Sequence, residues 1–165
     1  MAKEIRYWLM KSEPVTYGID HLEHDGATPW EGVRNYQARN FMMEMKKGDK
    51  VLFYHSVTAP VGVAGIAKVV REHYPDRTQF DRKSKYFEPR ATDEKPVWEL
   101  VDVKFVKKFK KVVPLATLRE TKGLERMEIL KRGSRLSVTP VTKKEFEIIV
   151  RLPERVPTDV GRQPR

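Results

Sequence analysis

Short apolar runs bounded by turn residues predict the strands of this chain. At residues 101–105, valine and phenylalanine alternate with aspartate and lysine, which is the pattern of a half-buried strand. Residues 61–70 carry glycines and alanines among valines, which indicates either a tight bend or a place where two backbones approach closely. The predicted strands are residues 7–10, 51–56, 61–70, 101–105 and 136–138.

Helical periodicity predicts short helices between and after these strands. Apolar residues between positions 38 and 45 recur at helical spacing, so they should form the buried face of a helix that Asn35 caps. Thr142, followed three residues later by Glu145, is a capping box and predicts the start of a last helix. Other short helices are predicted at residues 19–23, 114–119 and 124–130.

The order of these elements predicts an α+β fold. Adjacent strands without regular helical crossovers favour an antiparallel or mixed sheet, curled toward a barrel, with helices packed outside it. Residues 1–152 are predicted to form one domain, and residues 153–165, rich in proline and arginine, a mobile basic tail. The long charged connection between residues 74 and 96 should be functional or partly disordered.

Charge gives the first indication of a partner. The chain has 33 lysines and arginines against 23 aspartates and glutamates, a net charge of +10. Because each phosphate that a protein neutralises releases condensed counterions, this excess favours nucleic acid. The chain has no cysteine, which excludes disulfides and thiolate nucleophiles. No membrane span and no signal peptide are visible, so the expected location is the cytoplasm, a nucleoid or, in a eukaryote, the nucleus.

The residues that could carry catalysis give little support to an enzyme. His21 and His24 have a spacing that could share a metal, but no acidic-histidine signature accompanies them, so both are interpreted as surface residues. His55 and Ser56 are neighbours on a predicted strand and face opposite ways, so they cannot form a nucleophile–base pair. Neither a catalytic residue nor a metal or cofactor site is predicted.

A site for a planar ring has more support. Trp30 lies between Pro29 and Gly32 in a predicted loop, where a tryptophan is less expected to belong to the core. Stacking of a base on the face of an aromatic ring is worth about 1–3 kcal/mol. The side-chain amide of Asn35 has a donor and an acceptor that match a nucleobase edge. Further base or phosphate contacts are expected from Lys11, Ser12, Arg34, His55 and Ser56, and a phosphate-contacting rim from Lys104, Lys107, Lys108, Arg82 and Lys83.

Several sequence blocks resemble the EVE domain family. In that family's order they are residues 8–14, 30–41, 48–49, 54–56, 74–76, 136–138 and 140–141, within a stretch from about residue 6 to 152. The resemblance implies a PUA-like fold and a non-enzymatic reader of modified bases, with modified DNA as the favoured partner. Carried over by position, the pocket should be lined by Lys11, Ser12, Trp30, Arg34, Asn35, Tyr54, His55, Ser56 and Ser137, with backbone groups up to Glu13 reading the base edge.

Three alternatives remain open at this point. The first is an RNA-binding module that acts on tRNA or another structured RNA through the same fold. The second is an enzyme that acts on a base or nucleotide, with His55 or Glu13 as its working group. The third is a pocket for a small molecule with no nucleic acid involved.

Overall fold

A mixed six-stranded sheet organises the part of the chain that the computed structural model describes, residues 4–154. Its strands are β1 (Tyr7–Ser12), β2 (Ala27–Pro29), β3 (Lys50–His55), β4 (Gly62–Pro75), β5 (Glu99–Pro114) and β6 (Val138–Val141). They lie in the order β2-β5-β4-β3-β1-β6. β1 and β3 are parallel, and the other neighbours are antiparallel. The predicted α+β class is confirmed, and the curled sheet does not close into a barrel.

The hairpin of β4 and β5 is longer than the sequence pattern predicts. The two strands have 14 and 16 residues, and their pairing shifts register at four places. Each shift interrupts the two-residue alternation, which is why the end of β5 is not recognisable as a strand from its sequence. The predicted close approach is confirmed at Gly65, where a Cβ atom would lie 2.3 Å from the backbone oxygen of Lys107.

Within residues 4–154, five α-helices flank the sheet: α1 (Pro14–Tyr17), α2 (Ile19–Asp25), α3 (Tyr36–Glu44), α4 (Leu115–Glu120) and α5 (Lys143–Arg151). The predicted caps are confirmed, because Asn35 accepts the N–H of Ala38 and Thr142 forms a capping box with Glu145. The predicted helix at residues 124–130 is wrong. This segment is a series of tight turns that ends in a 3-10 turn at Glu128–Leu130, and its N–H groups bond three residues back.

The core consists of two clusters on opposite faces of the sheet, which follows from the alternation of side chains along each strand. In β1, Trp8 and Met10 belong to one cluster and Leu9 to the other. The first cluster is covered by α2 and α3, and the second by α4 and α5. The C-terminal end of β1 therefore lies between the two core clusters, where its side chains can line a cleft.

The charged connection after β4 is held in place by one buried amide. Gln79 has no solvent exposure, and its Nε2 donates to the backbone oxygens of Asp76 and Trp98 at 2.8 and 2.7 Å. Its Oε1 accepts the N–H groups of Val97 and Trp98. These four bonds tie both ends of the connection together, so the expectation of partial disorder is wrong for this segment.

Of the predicted tail, residues 155–165 lie outside the described residues, and the domain boundary at residue 152 stays a prediction. No helix within residues 4–154 has both the length and the apolar character needed to cross a bilayer.

Replacing Gln79 with leucine should test how far this amide orders the connection. Leucine has a similar volume but leaves the N–H groups of Val97 and Trp98 without partners, so the free energy of unfolding should fall by about 3 kcal/mol. Urea denaturation measures this loss, and hydrogen exchange should speed up at the amides of Val97 and Trp98. Gln37→Leu, on the exposed side of α3, is the matched control and should change stability little. Equal stability of the two variants would contradict this role.

Candidate functional site

A cleft of about 510 Å³ opens where the end of β1, helix α1, the loop after β2 and residues 85–86 meet. This volume lies within the range of pockets that hold small organic groups. Its lining residues are Lys11, Ser12, Glu13, Thr16, Tyr17, Thr28, Pro29, Trp30, Glu31, Gly32, Val33, Arg34, Ser56, Lys85, Tyr86 and Ser137. The structure therefore brings together seven of the ten residues predicted to contact a base: Lys11, Ser12, Glu13, Trp30, Arg34, Ser56 and Ser137.

Three aromatic residues line the cleft: Tyr17, Trp30 and Tyr86. Trp30 is 7% exposed and packs edge-on against Phe53 with ring centroids 5.4 Å apart, so it also belongs to the core, contrary to the expectation for its loop. Tyr86 packs on Gly32, where a Cβ atom would lie 2.6 Å from the tyrosine ring. Gly32 also has a φ of +87°, so this position favours glycine for two reasons. The loop and the tyrosine thus fit closely together.

The loop after β2 is anchored by the carboxylate of Asp76, which has no solvent exposure. Its Oδ2 accepts the N–H of Gly32 at 2.8 Å and an Nη1 hydrogen of Arg34 at 3.1 Å. Its Oδ1 accepts the backbone N–H and the hydroxyl of Thr78. Burial alone would raise the pKa of Asp76, but these hydrogen bonds outweigh it and hold the pKa below its ordinary value of 3.8.

Arg34 lines the cleft, but its hydrogen-bonding capacity is used within the protein. Its guanidinium group has five N–H donors, and they bond to Val33, Asp76, Thr78 and, twice, to the backbone oxygen of Tyr86. The planar group also lies near the rings of Tyr86 and Trp98. Arg34 therefore positions the aromatic wall, and its predicted contact with a base or phosphate would require one of these bonds to be exchanged.

The end of β1 supplies polar groups to the cleft. The Lys11 N–H donates to the Ser137 oxygen at 2.8 Å, and the Ser12 hydroxyl donates to the Tyr17 oxygen at 2.5 Å. Burial lowers the pKa of the Lys11 ammonium, which Glu128 partly opposes. Burial also raises the pKa of the Glu31 carboxyl, with help from the charge of Asp76 and against that of Arg34. The cleft therefore offers both cationic donors and carboxylate acceptors.

Three residues predicted for the pocket do not line this cleft. The Asn35 side-chain oxygen accepts the N–H of Ala38 as the cap of α3. Tyr54 is 3% exposed and packs in the second core cluster. His55 Nε2 accepts the N–H of Ile19 at 3.0 Å, and burial lowers the pKa of its imidazole. Their contacts with a base stay predictions, and each side chain has an evident structural role.

The predicted phosphate rim lies outside the cleft lining. Lys104, Lys107 and Lys108 are exposed on β5, and Lys108 forms an ion pair of 2.5 Å with Asp20. Arg82 and Lys83 are exposed in the connection after β4, where Lys85 is the basic residue that lines the cleft. The phosphate contacts of these five residues stay predictions.

Sequence reasoning missed part of the lining. Glu31, Lys85 and Tyr86 were not selected, although the length and charge of the connection that carries the last two indicated a functional segment. The EVE-like block 74–76 includes Asp76, but its anchoring role could not be predicted, because its partners Gly32 and Arg34 are more than 40 residues away in the chain. Within residues 4–154 no group of histidines and carboxylates could hold a metal ion, and His21 Nδ1 accepts the N–H of Gly18.

Replacing Asp76 with asparagine should weaken the fold in a pH-dependent way. Since the folded pKa of Asp76 lies below 3.8, its carboxylate stabilises the fold fully above that value and less as pH falls through the folded pKa. Asp76→Asn should therefore lower the free energy of unfolding by about 3 kcal/mol at neutral pH, and by less in acid. Urea titrations of both proteins at several pH values measure the difference, and a difference that does not shrink in acid would contradict the assignment.

The chain is similar to proteins of a known family. A family model for the EVE domain matches residues 6–152. Thymocyte nuclear protein 1 from Homo sapiens is 39% identical in a match that covers 92% of this chain and 76% of that protein.

Two solved structures are similar along nearly their whole length. A hypothetical protein from Leishmania major has a TM-score of 0.90 and 49% identity, and the match covers 94% of this chain and 98% of that one. The human THYN1 protein, solved in complex with 5-methylcytosine containing DNA, has a TM-score of 0.85 and 40% identity, with 92% and 99% covered. The family match over residues 6–152 and the identity of these relatives show that the chain belongs to the EVE domain family.

Proposed function

We propose that this protein is a non-enzymatic reader of a modified base in DNA, with 5-methylcytosine as the first candidate. The observation that carries the proposal is an aromatic and polar cleft in a chain 40% identical to a protein solved with 5-methylcytosine containing DNA. The net charge of +10 supports a polyanionic partner. We propose that the protein is located where DNA or RNA is accessible to it: in the cytoplasm, at a nucleoid or, in a eukaryote, in the nucleus.

The shape of the cleft requires the base to leave its stack. A concave site cannot reach a base inside a duplex, so the target nucleotide is flipped out or is already single-stranded. Trp30 and Tyr86 supply the aromatic surface for the ring, and both are held before the ligand arrives, by Phe53 and by Arg34. A site that is already ordered loses little conformational entropy when the base binds.

The polar lining suits the edge of a cytosine. Carboxylates accept hydrogen bonds from the cytosine N4 amine, and Glu13 and Glu31 both line the cleft. Pro29 and Val33 offer apolar surface to a methyl group. Burial of one methyl group contributes about 0.8 kcal/mol, which corresponds to roughly a fourfold preference over unmodified cytosine.

We propose that the protein binds the base without transforming it. Of the two groups weighed as catalytic, His55 uses its Nε2 to accept the N–H of Ile19, and it does not line the cleft. Glu13 lines the cleft and is exposed. We propose that its carboxylate accepts a hydrogen bond from the base. Turnover of a modified nucleoside that is lost in a Glu13→Gln variant would overturn this part of the proposal.

Binding to matched oligonucleotides with and without one 5-methylcytosine tests the function, and Trp30 tests the site. Trp30→Ala should cost about 1–3 kcal/mol of binding to the methylated oligonucleotide. Trp30→Phe keeps an aromatic face and most of the core volume, so it should retain most of the affinity. Because the alanine also leaves a cavity in the core, the stability of each variant is measured by urea denaturation at the binding temperature.

Several outcomes would contradict this account. Equal affinity of the wild-type protein for methylated and unmethylated DNA would exclude 5-methylcytosine reading. Tighter binding of an RNA of the same sequence would favour the RNA-binding alternative. Oligonucleotide binding that does not weaken with salt would favour a small-molecule pocket.

A further inference from the structure

A second cleft of about 320 Å³ adjoins the first. Lys11 and Ser56 line both clefts, so these two residues form a ridge between them. The position of the ridge is fixed, because the Ser56 N–H donates to the Ser12 oxygen at 2.9 Å. A polymer that leaves the first cleft across this ridge therefore enters the second directly.

The charge of the second cleft differs from that of the first. Glu13 and Glu31 line the first cleft, whereas the described residues that line the second include no carboxylate. Its charged lining residues are Lys11, Arg119, Lys131 and Arg132. Four cations around one cavity favour an anionic group of the ligand.

Two of these cations, Arg119 and Arg132, have N–H donors that can bind a ligand. Arg132 is exposed and makes no hydrogen bond or ion pair with any other residue of the range 4–154, and Arg119 makes one long bond of 3.4 Å to the Leu130 oxygen. Lys131, in contrast, is paired with Glu128 at 3.0 Å. Unlike Arg34 in the first cleft, Arg119 and Arg132 can therefore present a guanidinium group to a phosphate.

The remaining lining is largely apolar. Leu115 and Ile129 line the cavity beside the nearly buried Tyr54, and so does Val57, which is 76% exposed. Val57 has a φ of +69°, a strained value for a β-branched residue, and such strain concentrates at functional sites. Apolar surface next to the guanidinium groups of Arg119 and Arg132 suits a nucleotide better than a bare anion.

We propose that the second cleft holds the nucleotide next to the modified base on the same strand, with Arg119 and Arg132 on its phosphate. This inference rests on the proposed function of the first cleft. It assigns the phosphate contacts to residues other than the predicted rim on β5, where Lys108 is paired with Asp20 and Lys104 and Lys107 line neither cleft.

The salt dependence of binding tests this assignment. Arg119→Gln, Arg132→Gln and the double variant are compared with wild type on the methylated and unmethylated oligonucleotides, over roughly 50 to 200 mM salt. Each lost phosphate contact should lower the slope of log affinity against log salt by about 0.7–0.9. Both oligonucleotides should weaken by the same factor, so that the preference for the methylated one is retained. Lys144→Gln, an exposed position of α5 that lines neither cleft, is the matched charge control.

A neutral methylphosphonate at single positions beside the modified base locates the contact. One such replacement should weaken wild-type binding and leave the double variant unaffected, because the variant has already lost the partner of that phosphate. Unchanged affinity and slope in the double variant, or an equal change in Lys144→Gln, would overturn the proposal. If instead the proposed function of the first cleft is wrong, the wild-type protein will bind the methylated and unmethylated oligonucleotides with equal affinity.

Discussion

The buried carboxylate of Asp76 is the constraint on which the candidate site depends. One of its oxygens holds the Gly32 N–H and the Arg34 guanidinium, and Arg34 in turn holds the backbone oxygen of Tyr86 by two hydrogen bonds. The aromatic wall is therefore connected to the residue that follows β4 through charged hydrogen bonds that are partly buried. In such surroundings each bond is stronger, and an unpaired partner is more costly, than at the surface.

The sheet places the two clefts side by side. β1 lies between β3 and β6, so its last residues, Lys11 and Ser12, leave the sheet beside Ser56 on one side and Ser137 on the other. The first cleft combines carboxylates with cations, which suits the edge of a base. The described residues that line the second are cationic, polar or apolar and include no carboxylate, which suits a phosphate. Base recognition and backbone binding would thus be separate tasks of adjacent surfaces.

Local pattern predicted the elements well and the site only in part. The caps at Asn35 and Thr142 depend on neighbouring residues, so sequence reveals them, and the EVE resemblance pointed to the segments around Lys11 and Trp30. Asn35 illustrates the limit, because the residue type that reads a base edge is also a preferred helix cap. The roles of Asp76 and Tyr86 depend on contacts more than 40 residues apart in the chain, which no local pattern contains.

The central claim is that the modified base enters the cleft between Trp30 and Tyr86. Photocrosslinking with 5-iodocytosine in place of the single 5-methylcytosine tests it most directly, because the reactive iodine occupies the position of the methyl group. Mass spectrometry should locate the crosslink in the peptides that contain the first-cleft residues, such as those around Trp30 or Tyr86. Crosslinks confined to the lysines of β5, with none in the cleft, would contradict the account.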